Sequence, residues 1–146
     1  VWVHHGSASG LWSTANWTAE GDALNGSFGM SLDGAGDVNG DGYADLIVGG
    51  PGLKNALNGE GMARIYLGSS TGLAAAAVWN GSGGQANASF GTSVAGAGDV
   101  NGDGYADVIV GSPGYSHGEN REGRVELFRG YSLGMNTFAS WQLIHI

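Results

Sequence analysis

Hydrophobic residues in this chain come in short runs separated by glycine-rich turns, and no window keeps the 3.6-residue period of a helix for long. Runs of this kind predict β-strands. Residues 62–67 alternate in the way a strand with two different faces does. Ala63, Ile65 and Leu67 are expected on one face, and Met62, Arg64 and Tyr66 on the other. The pattern therefore predicts an all-β fold.

The same pattern occurs twice, because the segment that begins at Phe28 returns at Phe90 with 20 of 25 positions identical. The same 62-residue spacing relates Trp17, Trp79 and Trp141, so the repeat extends into the region before Phe28, and we expect these tryptophans to pack between blades rather than to bind sugars. Internal repeats of this length are typical of propellers and solenoids. We predict a single repeat domain over residues 1–146, made of a partial unit (residues 1–27), a first full unit (28–89) and a second full unit with a divergent last strand (90–146).

Each full unit is predicted to contain four antiparallel strands, the number found in one blade of a β-propeller. In the two full units they are residues 28–35, 44–49, 62–67 and 77–80, and then 90–97, 106–111, 124–129 and 140–145. The partial unit supplies only a third strand (residues 1–5) and a fourth (16–18). About two and a half blades cannot close a ring. We expect the open half-blade to be completed by another copy, as a homo-oligomer, or by the remaining blades of a longer chain.

A loop rich in carboxylates joins the first and second predicted strands of each full unit. Residues 37–45 (loop 1) and residues 99–107 (loop 2) place side-chain oxygens at positions 1, 3, 5 and 9 and a glycine at position 6. Calcium takes six to eight oxygen ligands, and a tightly wound segment can supply several of them, including the backbone carbonyl at position 7. We predict two Ca²⁺ sites, with the ligands Asp37, Asn39, Asp41, Tyr43 and Asp45, and Asp99, Asn101, Asp103, Tyr105 and Asp107.

An EF-hand and a metal-free turn are the two alternatives to this calcium loop. An EF-hand needs a glutamate at position 12 and flanking helices, whereas Val48 and Val110 stand there and strands follow. A turn without metal is the other alternative, since Asp, Asn and Gly favour turns. Three carboxylates within nine residues would repel one another without a cation. We expect the metal to be structural, because no open coordination position beside a general base can be named.

Composition narrows the class of partner. Five Lys and Arg residues stand against thirteen Asp and Glu, a formal charge of −8, so the chain offers no basic surface for nucleic acid or an anionic membrane. It has no cysteine, and no apolar run approaches the roughly 20 residues of a membrane span. We expect neither nucleic-acid binding nor membrane insertion.

Four motifs together resemble the FG-GAP repeat of integrin α-subunit propellers. They are the Phe-Gly start, the A-G-D-x-N-x-D-G-x-x-D loop, the D-[LV]-I-V-G strand and the G-[GS]-P-G turn. The turn at residues 67–73 is closer in style to the bacterial members. The resemblance implies four-stranded blades, calcium held by the ten residues above, and an extracellular or cell-surface location. The family's propellers have seven blades, so closure within this chain is not expected.

These observations lead to two functional hypotheses. The first is a non-enzymatic, calcium-binding structural or adhesion-type module that presents loops to a protein or glycan partner. The alternative is a self-assembling subunit whose half-blade is completed by another chain, giving a ring or an extracellular filament. An enzyme is not expected: residues 68–72 fit G-x-S-x-G, but no helix follows, so they are predicted to form a turn. Trp2 and Trp12 lack aromatic counterparts and are candidates for contact with a partner.

Overall fold

The structure, a computed structural model, describes residues 1–144. In this part of the chain every regular element is a β-strand. The strands are β1 (Trp2–Val3), β2 (Gly6–Ser7), β3 (Gly10–Leu11), β4 (Trp17–Thr18), β5 (Ser31–Gly36), β6 (Asp45–Gly50), β7 (Met62–Tyr66), β8 (Trp79–Ser82), β9 (Ser93–Gly98), β10 (Asp107–Ser112), β11 (Arg124–Phe128), β12 (Gly130–Tyr131), β13 (Gly134–Met135) and β14 (Trp141–Ile144).

Two antiparallel sheets of four strands form the body of the molecule. The first full unit has the order β5-β6-β7-β8, and the second has β9-β10-β11-β14. In the partial unit β1 pairs with β4 as the third and fourth strands of a third sheet. Two short hairpins, β2–β3 and β12–β13, were not predicted. The predicted all-β class with four-stranded, propeller-type blades is confirmed, and within residues 1–144 the sheets do not close into a ring.

The first strand of each full unit begins three residues later than predicted. Ser27 (φ 51°) and Gly29 (φ 87°) lie in the left-handed region, and Met30 N donates to Ser27 O at 3.0 Å. Residues 28–30 therefore form a turn, and the same turn recurs before β9. The last strand matches its prediction through Ile144, and residue 145 lies outside the described residues.

The first full unit is packed on both of its faces, which confirms the alternation predicted for residues 62–67. Ala63 and Ile65 face the second full unit, whereas Tyr66 on the opposite face contacts the partial unit. Burying an aliphatic side chain of this size contributes about 1.5–3 kcal/mol, so these interfaces hold the three units together. The larger of the two clusters contains Ala35, Val38, Ile47, Ala63, Ile65, Trp79, Phe90, Val108, Val110, Phe128 and Met135.

Consecutive units are joined by a tryptophan of one unit that packs on the next unit, a contact we call a tryptophan clasp. Trp17 of the partial unit lies edge-on to Tyr66, with ring centroids 4.8 Å apart, and its Nε1 donates to a backbone carbonyl of the first full unit at 2.9 Å. Trp79 lies in the same way against Phe128 at 4.9 Å, and its Nε1 donates to Asn136 O at 3.0 Å. Each tryptophan thus packs on the following unit, as the repeat predicts.

Trp141 does not repeat this arrangement. It is 50% exposed, whereas Trp79 is 4% exposed. Trp17 and Trp79 each pack on the unit that follows, and within residues 1–144 no unit follows the second full unit. Packing between blades is therefore confirmed for Trp17 and Trp79, and for Trp141 it stays a prediction.

A buried aspartate at the end of each loop connects two strands of its own unit. Val38 N and Gly68 N donate to the two carboxylate oxygens of Asp45 at 2.8 and 2.7 Å, and Asp107 makes the same pair of bonds at 3.0 and 3.1 Å. Burial raises the pKa of Asp45, although the two backbone donors act in the opposite direction. The aspartate therefore fixes the loop to the start of β6 and to the turn that follows β7.

The two tryptophan environments lead to a matched test of the clasps. Trp79→Ala should lower the free energy of unfolding by about 3–5 kcal/mol, because it removes a large buried ring. Trp141→Ala should change it by less than about 1 kcal/mol, since that side chain is half exposed. Chemical denaturation of both variants measures the difference, and equal losses would contradict the packing described here.

The buried aspartate leads to a second test, carried out in excess chelator so that no metal contributes. Asp45→Ala should cost about 2–5 kcal/mol, because it leaves two buried backbone N–H groups without acceptors. Asp41→Ala, in the exposed part of the same loop, should cost less than about 1 kcal/mol. Thermal or urea unfolding of the pair provides the comparison. A loss for Asp45→Ala no larger than that for Asp41→Ala would show that these bonds are not structural.

Candidate metal centre

Loop 1 is wound tightly around the side chain of its first residue. Asp37 Oδ1 accepts hydrogen bonds from Gly40 N at 2.7 Å and from Asp41 N at 3.0 Å, and Oδ2 accepts one from Gly42 N at 2.8 Å. Gly40 (φ 74°) and Gly42 (φ 88°) both lie in the left-handed region, which glycine enters at little cost. The sequence therefore places glycine where the backbone must turn back on itself.

The side chains at positions 3 and 5 meet above this turn. Asn39 Nδ2 donates to Asp41 Oδ2 at 2.9 Å, and Asp41 N lies 3.3 Å from Asn39 Oδ1. Tyr43 N donates to Asp41 Oδ1 at 3.0 Å. The turn thus brings together three of the predicted ligands, at positions 1, 3 and 5 of the loop.

Loop 2 reproduces this arrangement bond for bond. Asp99 accepts from the three corresponding backbone N–H groups at 2.8, 3.1 and 2.8 Å, and Asn101 Nδ2 donates to Asp103 Oδ2 at 2.7 Å. Tyr105 N donates to Asp103 Oδ1 at 3.0 Å. The hydrogen bond from Gly104 N is the main cause that lowers the pKa of Asp99, with those from Gly102 and Asp103 adding to it. Two separate stretches of chain therefore adopt one loop geometry.

Position 9 differs from the other predicted ligand positions. Asp45 and Asp107 are buried, and both oxygens of each accept hydrogen bonds from backbone groups outside the turn. Burial is the main cause that raises the pKa of Asp45, and the negative charges of Asp41 and Asp37 add to it. Within residues 1–144 no group of three or more His, Cys, Asp and Glu side chains is gathered as a ready-made metal site. All six carboxylate oxygens of loop 1 accept hydrogen bonds instead.

The oxygen atoms in these loops are nevertheless of the chemical type that binds a hard cation. Carboxylate and amide oxygens are the groups that calcium prefers. Asp37 Oδ2 and both carboxylate oxygens of Asp41 accept one hydrogen bond each, so each keeps a second lone pair. Over residues 1–144 the ion pairs join Arg64 to Asp22 and Arg124 to Glu126, so neither loop is neutralised by a basic side chain. Each loop therefore keeps three carboxylates without a counter-charge.

Loop 1 also contacts the next unit, a role that the sequence did not predict. Ala106 N donates to Asp37 O at 2.9 Å, and the ring of Tyr105 lies against Gly40, whose Cβ would come within 2.8 Å of it. Val38 is fully buried at this contact, whereas its counterpart Val100 is 52% exposed. The sequence signal for this contact is Val38, a hydrophobic residue at position 2 of an otherwise acidic loop.

The G-x-S-x-G segment forms the turn that was predicted for it. Gly72 N donates to Ser69 O at 3.0 Å, and Ser69 Oγ donates to Gly72 O at 2.7 Å. The described residues beyond it continue to β8 without a helix. This serine-containing segment therefore lacks the strand-to-helix geometry of a nucleophile elbow.

Among the described residues there is no helix long and apolar enough to cross a membrane.

Comparison with known proteins agrees with the repeat. The FG-GAP repeat family model matches residues 28–66 and 90–127, just over half of the chain. Integrin alpha-4 of Xenopus laevis is 32% identical over 131 residues, covering 89% of this chain and 12% of that protein. Integrin alpha-PS2 of Drosophila melanogaster is 37% identical over 131 residues, with 84% and 9% covered. Integrin alpha-7 of Homo sapiens is 41% identical over 87 residues, with 58% and 7% covered.

The chain thus spans about a tenth of the length of these relatives, and the similarity lies in the repeated units. The family match covers β5 to β7 and almost all of β9 to β11, including both carboxylate-rich loops. The strand order, the two loops and the family match lead to one conclusion: this chain belongs to the FG-GAP repeat family.

Proposed function

We propose that the chain is a non-enzymatic, calcium-binding structural module of adhesion type, located outside the cell or on its surface. Its blades would present loops to a protein or glycan partner. Support for the class comes from the FG-GAP match and the similarity to integrin alpha chains. Exposed Trp2 and Trp12 are the side chains best suited to contact such a partner, since aromatic residues are enriched at the centres of interfaces.

The observation that carries the calcium proposal is the duplicated loop. Two stretches of chain fold into the same turn, and each keeps three carboxylates that no basic side chain within residues 1–144 neutralises. Folding brings these charges together, so a divalent cation that binds the folded loop would stabilise it. The proposed ligands are those predicted: side-chain oxygens of Asp37, Asn39, Asp41 and Asp45 with the Tyr43 carbonyl, and side-chain oxygens of Asp99, Asn101, Asp103 and Asp107 with the Tyr105 carbonyl.

The contact between loop 1 and the second full unit indicates what the ion would do. Asp37 supplies both a proposed ligand and the carbonyl that accepts from Ala106 N. An ion held by loop 1 would therefore stiffen the interface between two blades as well as the turn within one blade. We propose a structural role, because the ion would hold a turn that joins two strands and contacts the next unit.

The alternative, a self-assembling subunit, has weaker support. Its premise is that a second copy completes the half-blade that contains β1 and β4. In the described part of the chain, the second strand of each full unit already pairs with the third strand of its own sheet, β6 with β7 and β10 with β11. A second folded copy therefore has no free strand pair to offer.

Calcium addition tests the proposal. A ligand bound only by the folded state stabilises it by about 2.7 kcal/mol at 100 times its dissociation constant. For a chain of this length that corresponds to a rise in Tm of about 5–10 °C for each ion. Calorimetric titration should give two ions for the wild type and one each for Asp41→Ala and Asp103→Ala.

The matched control is Glu20→Ala, which removes an exposed carboxylate outside both loops. This variant should bind two ions and show the same rise in Tm as the wild type. Chelator should reverse the rise in every case. An unchanged Tm with saturating calcium, or equal losses in Glu20→Ala and Asp41→Ala, would contradict calcium binding by the loops.

A further inference from the structure

The junction between the two full units contains a cavity, which we call the rim cavity. It measures about 280 Å³, just below the roughly 300 Å³ at which small-molecule sites begin. One wall is formed by β8 and the turn after it (residues 80–84), and the other by β11 and residues 137–139 of the second full unit. Both walls belong to units that contain all four strands, so the cavity is a feature of the junction itself.

The corresponding place at the junction between the partial unit and the first full unit is crossed by an ion pair. Glu126 and Gly84, which line the rim cavity, correspond by the 62-residue spacing to Arg64 and Asp22. Arg64 pairs with Asp22 across that first junction. At the second junction glycine stands in place of the aspartate, so no such pair can form there. The rim cavity therefore depends on residues that the repeat does not share.

An exposed aromatic ring lies at the mouth of the rim cavity. Phe138 lines the cavity, yet it is 84% exposed. Its counterparts in the other two units are Ala76 and Thr14, so the ring has no part in the repeated packing. Ala76 is exposed although a unit lies on each side of it, so exposure at this position does not come from a missing neighbour. The ring offers a flat apolar surface on which a ligand can stack.

The rim cavity offers hydrogen-bond donors and acceptors without a net charge. Among the described residues, the charged side chains that line it are Arg124 and Glu126, whose Nη2 and Oε2 atoms lie 2.8 Å apart. Thr137 adds a hydroxyl group that can both donate and accept. β8 is the outermost strand of its sheet and pairs with β7 alone, so its other edge adds backbone N–H and C=O groups. This lining suits a neutral, hydroxyl-rich ligand better than an ion.

Glu126 is the group in the rim cavity that gains most from a further donor. It is only 7% exposed, and burial is the main cause that raises its pKa, while Arg124 acts in the opposite direction. A carboxylate that burial has removed from water is stabilised by each additional hydrogen bond that it accepts. A hydroxyl group of a ligand can supply such a bond.

We propose that the rim cavity binds one neutral pyranose ring of a glycan. The C–H face of the sugar would lie on the ring of Phe138, and its hydroxyl groups would exchange hydrogen bonds with Glu126, Arg124 and Thr137. A pyranose matches the lining because it combines an apolar face with a rim of groups that both donate and accept. The size of the cavity limits the bound part to a single ring.

This inference rests on the proposed function in one respect, that a glycan is among the partners. It assigns the glycan to a place other than exposed Trp2 and Trp12, since neither residue lines the rim cavity. It does not depend on calcium, because no residue of loop 1 or loop 2 lines the cavity either.

Titration with simple sugars tests the inference. The probes are the methyl pyranosides of glucose, galactose, mannose and N-acetylglucosamine, added one at a time to the full chain and followed by saturation-transfer NMR. At least one should bind at a single site with a dissociation constant on the order of 1 mM, since one ring buries few atoms. Phe138→Ala should weaken this binding about fivefold or more without changing the Tm, because the side chain is exposed.

Three further variants complete the test. Glu126→Gln should weaken binding about tenfold, because it replaces a charged acceptor, and its Tm shows whether the variant folds. Trp12→Ala removes an exposed aromatic residue elsewhere and should bind as the wild type does. Ala76→Phe places a ring at the corresponding position of the first junction, where Arg64 and Asp22 are paired, and should add no second site.

Three results would overturn the inference. They are failure of all four glycosides to bind, equal affinity of Phe138→Ala and the wild type, and an equal loss of affinity in Trp12→Ala and Phe138→Ala. Calcium titration of the same samples keeps the two proposals separate. A chain that binds two ions but no glycoside would reject the sugar site alone, and a chain that binds a glycoside but no ion would reject the calcium proposal alone.

Discussion

The structure depends on one interaction, the buried carboxylate at the end of each loop that accepts two backbone hydrogen bonds. Asp45 joins the start of loop 1 to the turn after β7, and Asp107 does the same in the second full unit. A buried carboxylate is costly unless it is hydrogen-bonded, and removing it would leave two buried donors unpaired. Because Asp45 is held in place, the rest of loop 1 can wind around Asp37. The second full unit then packs against loop 1.

The repeat and its period predict most of the fold. Short apolar runs identified β6, β7, β10 and β11 closely, because each of these strands lies inside its sheet with a paired neighbour on both edges. The first strands were placed too early, since apolar patterning carries no information about the left-handed Ser27 and Ser89. The proposed ligands of each loop could be recognised from the sequence as a set. The hydrogen bonds that Asp45 accepts from Val38 N and Gly68 N could not, because bonds to distant backbone groups leave no local sequence signal.

The two unit interfaces share a backbone geometry but use different side chains at their rims. Arg64 pairs with Asp22 of the partial unit and lies over the ring of Phe28. Its counterpart is Glu126, which pairs with Arg124 of its own strand, and burial raises the pKa of that glutamate. Arg124 Nη2 also donates to Gly83 O across the interface at 2.9 Å. The same strand position therefore accepts either a positive or a negative side chain, because the hydrophobic clusters and the loops hold the units together.

The recurring tryptophan contact has a consequence for how such an array grows. The residue two positions after the tryptophan is Ala19 in one unit and Gly81 in the next, and both tryptophans reach the following unit. The segment spanning residues 28–89 therefore meets a neighbour on each side through the same kind of contact. Tandem duplication of that segment would lengthen the array by copying an interface that already exists.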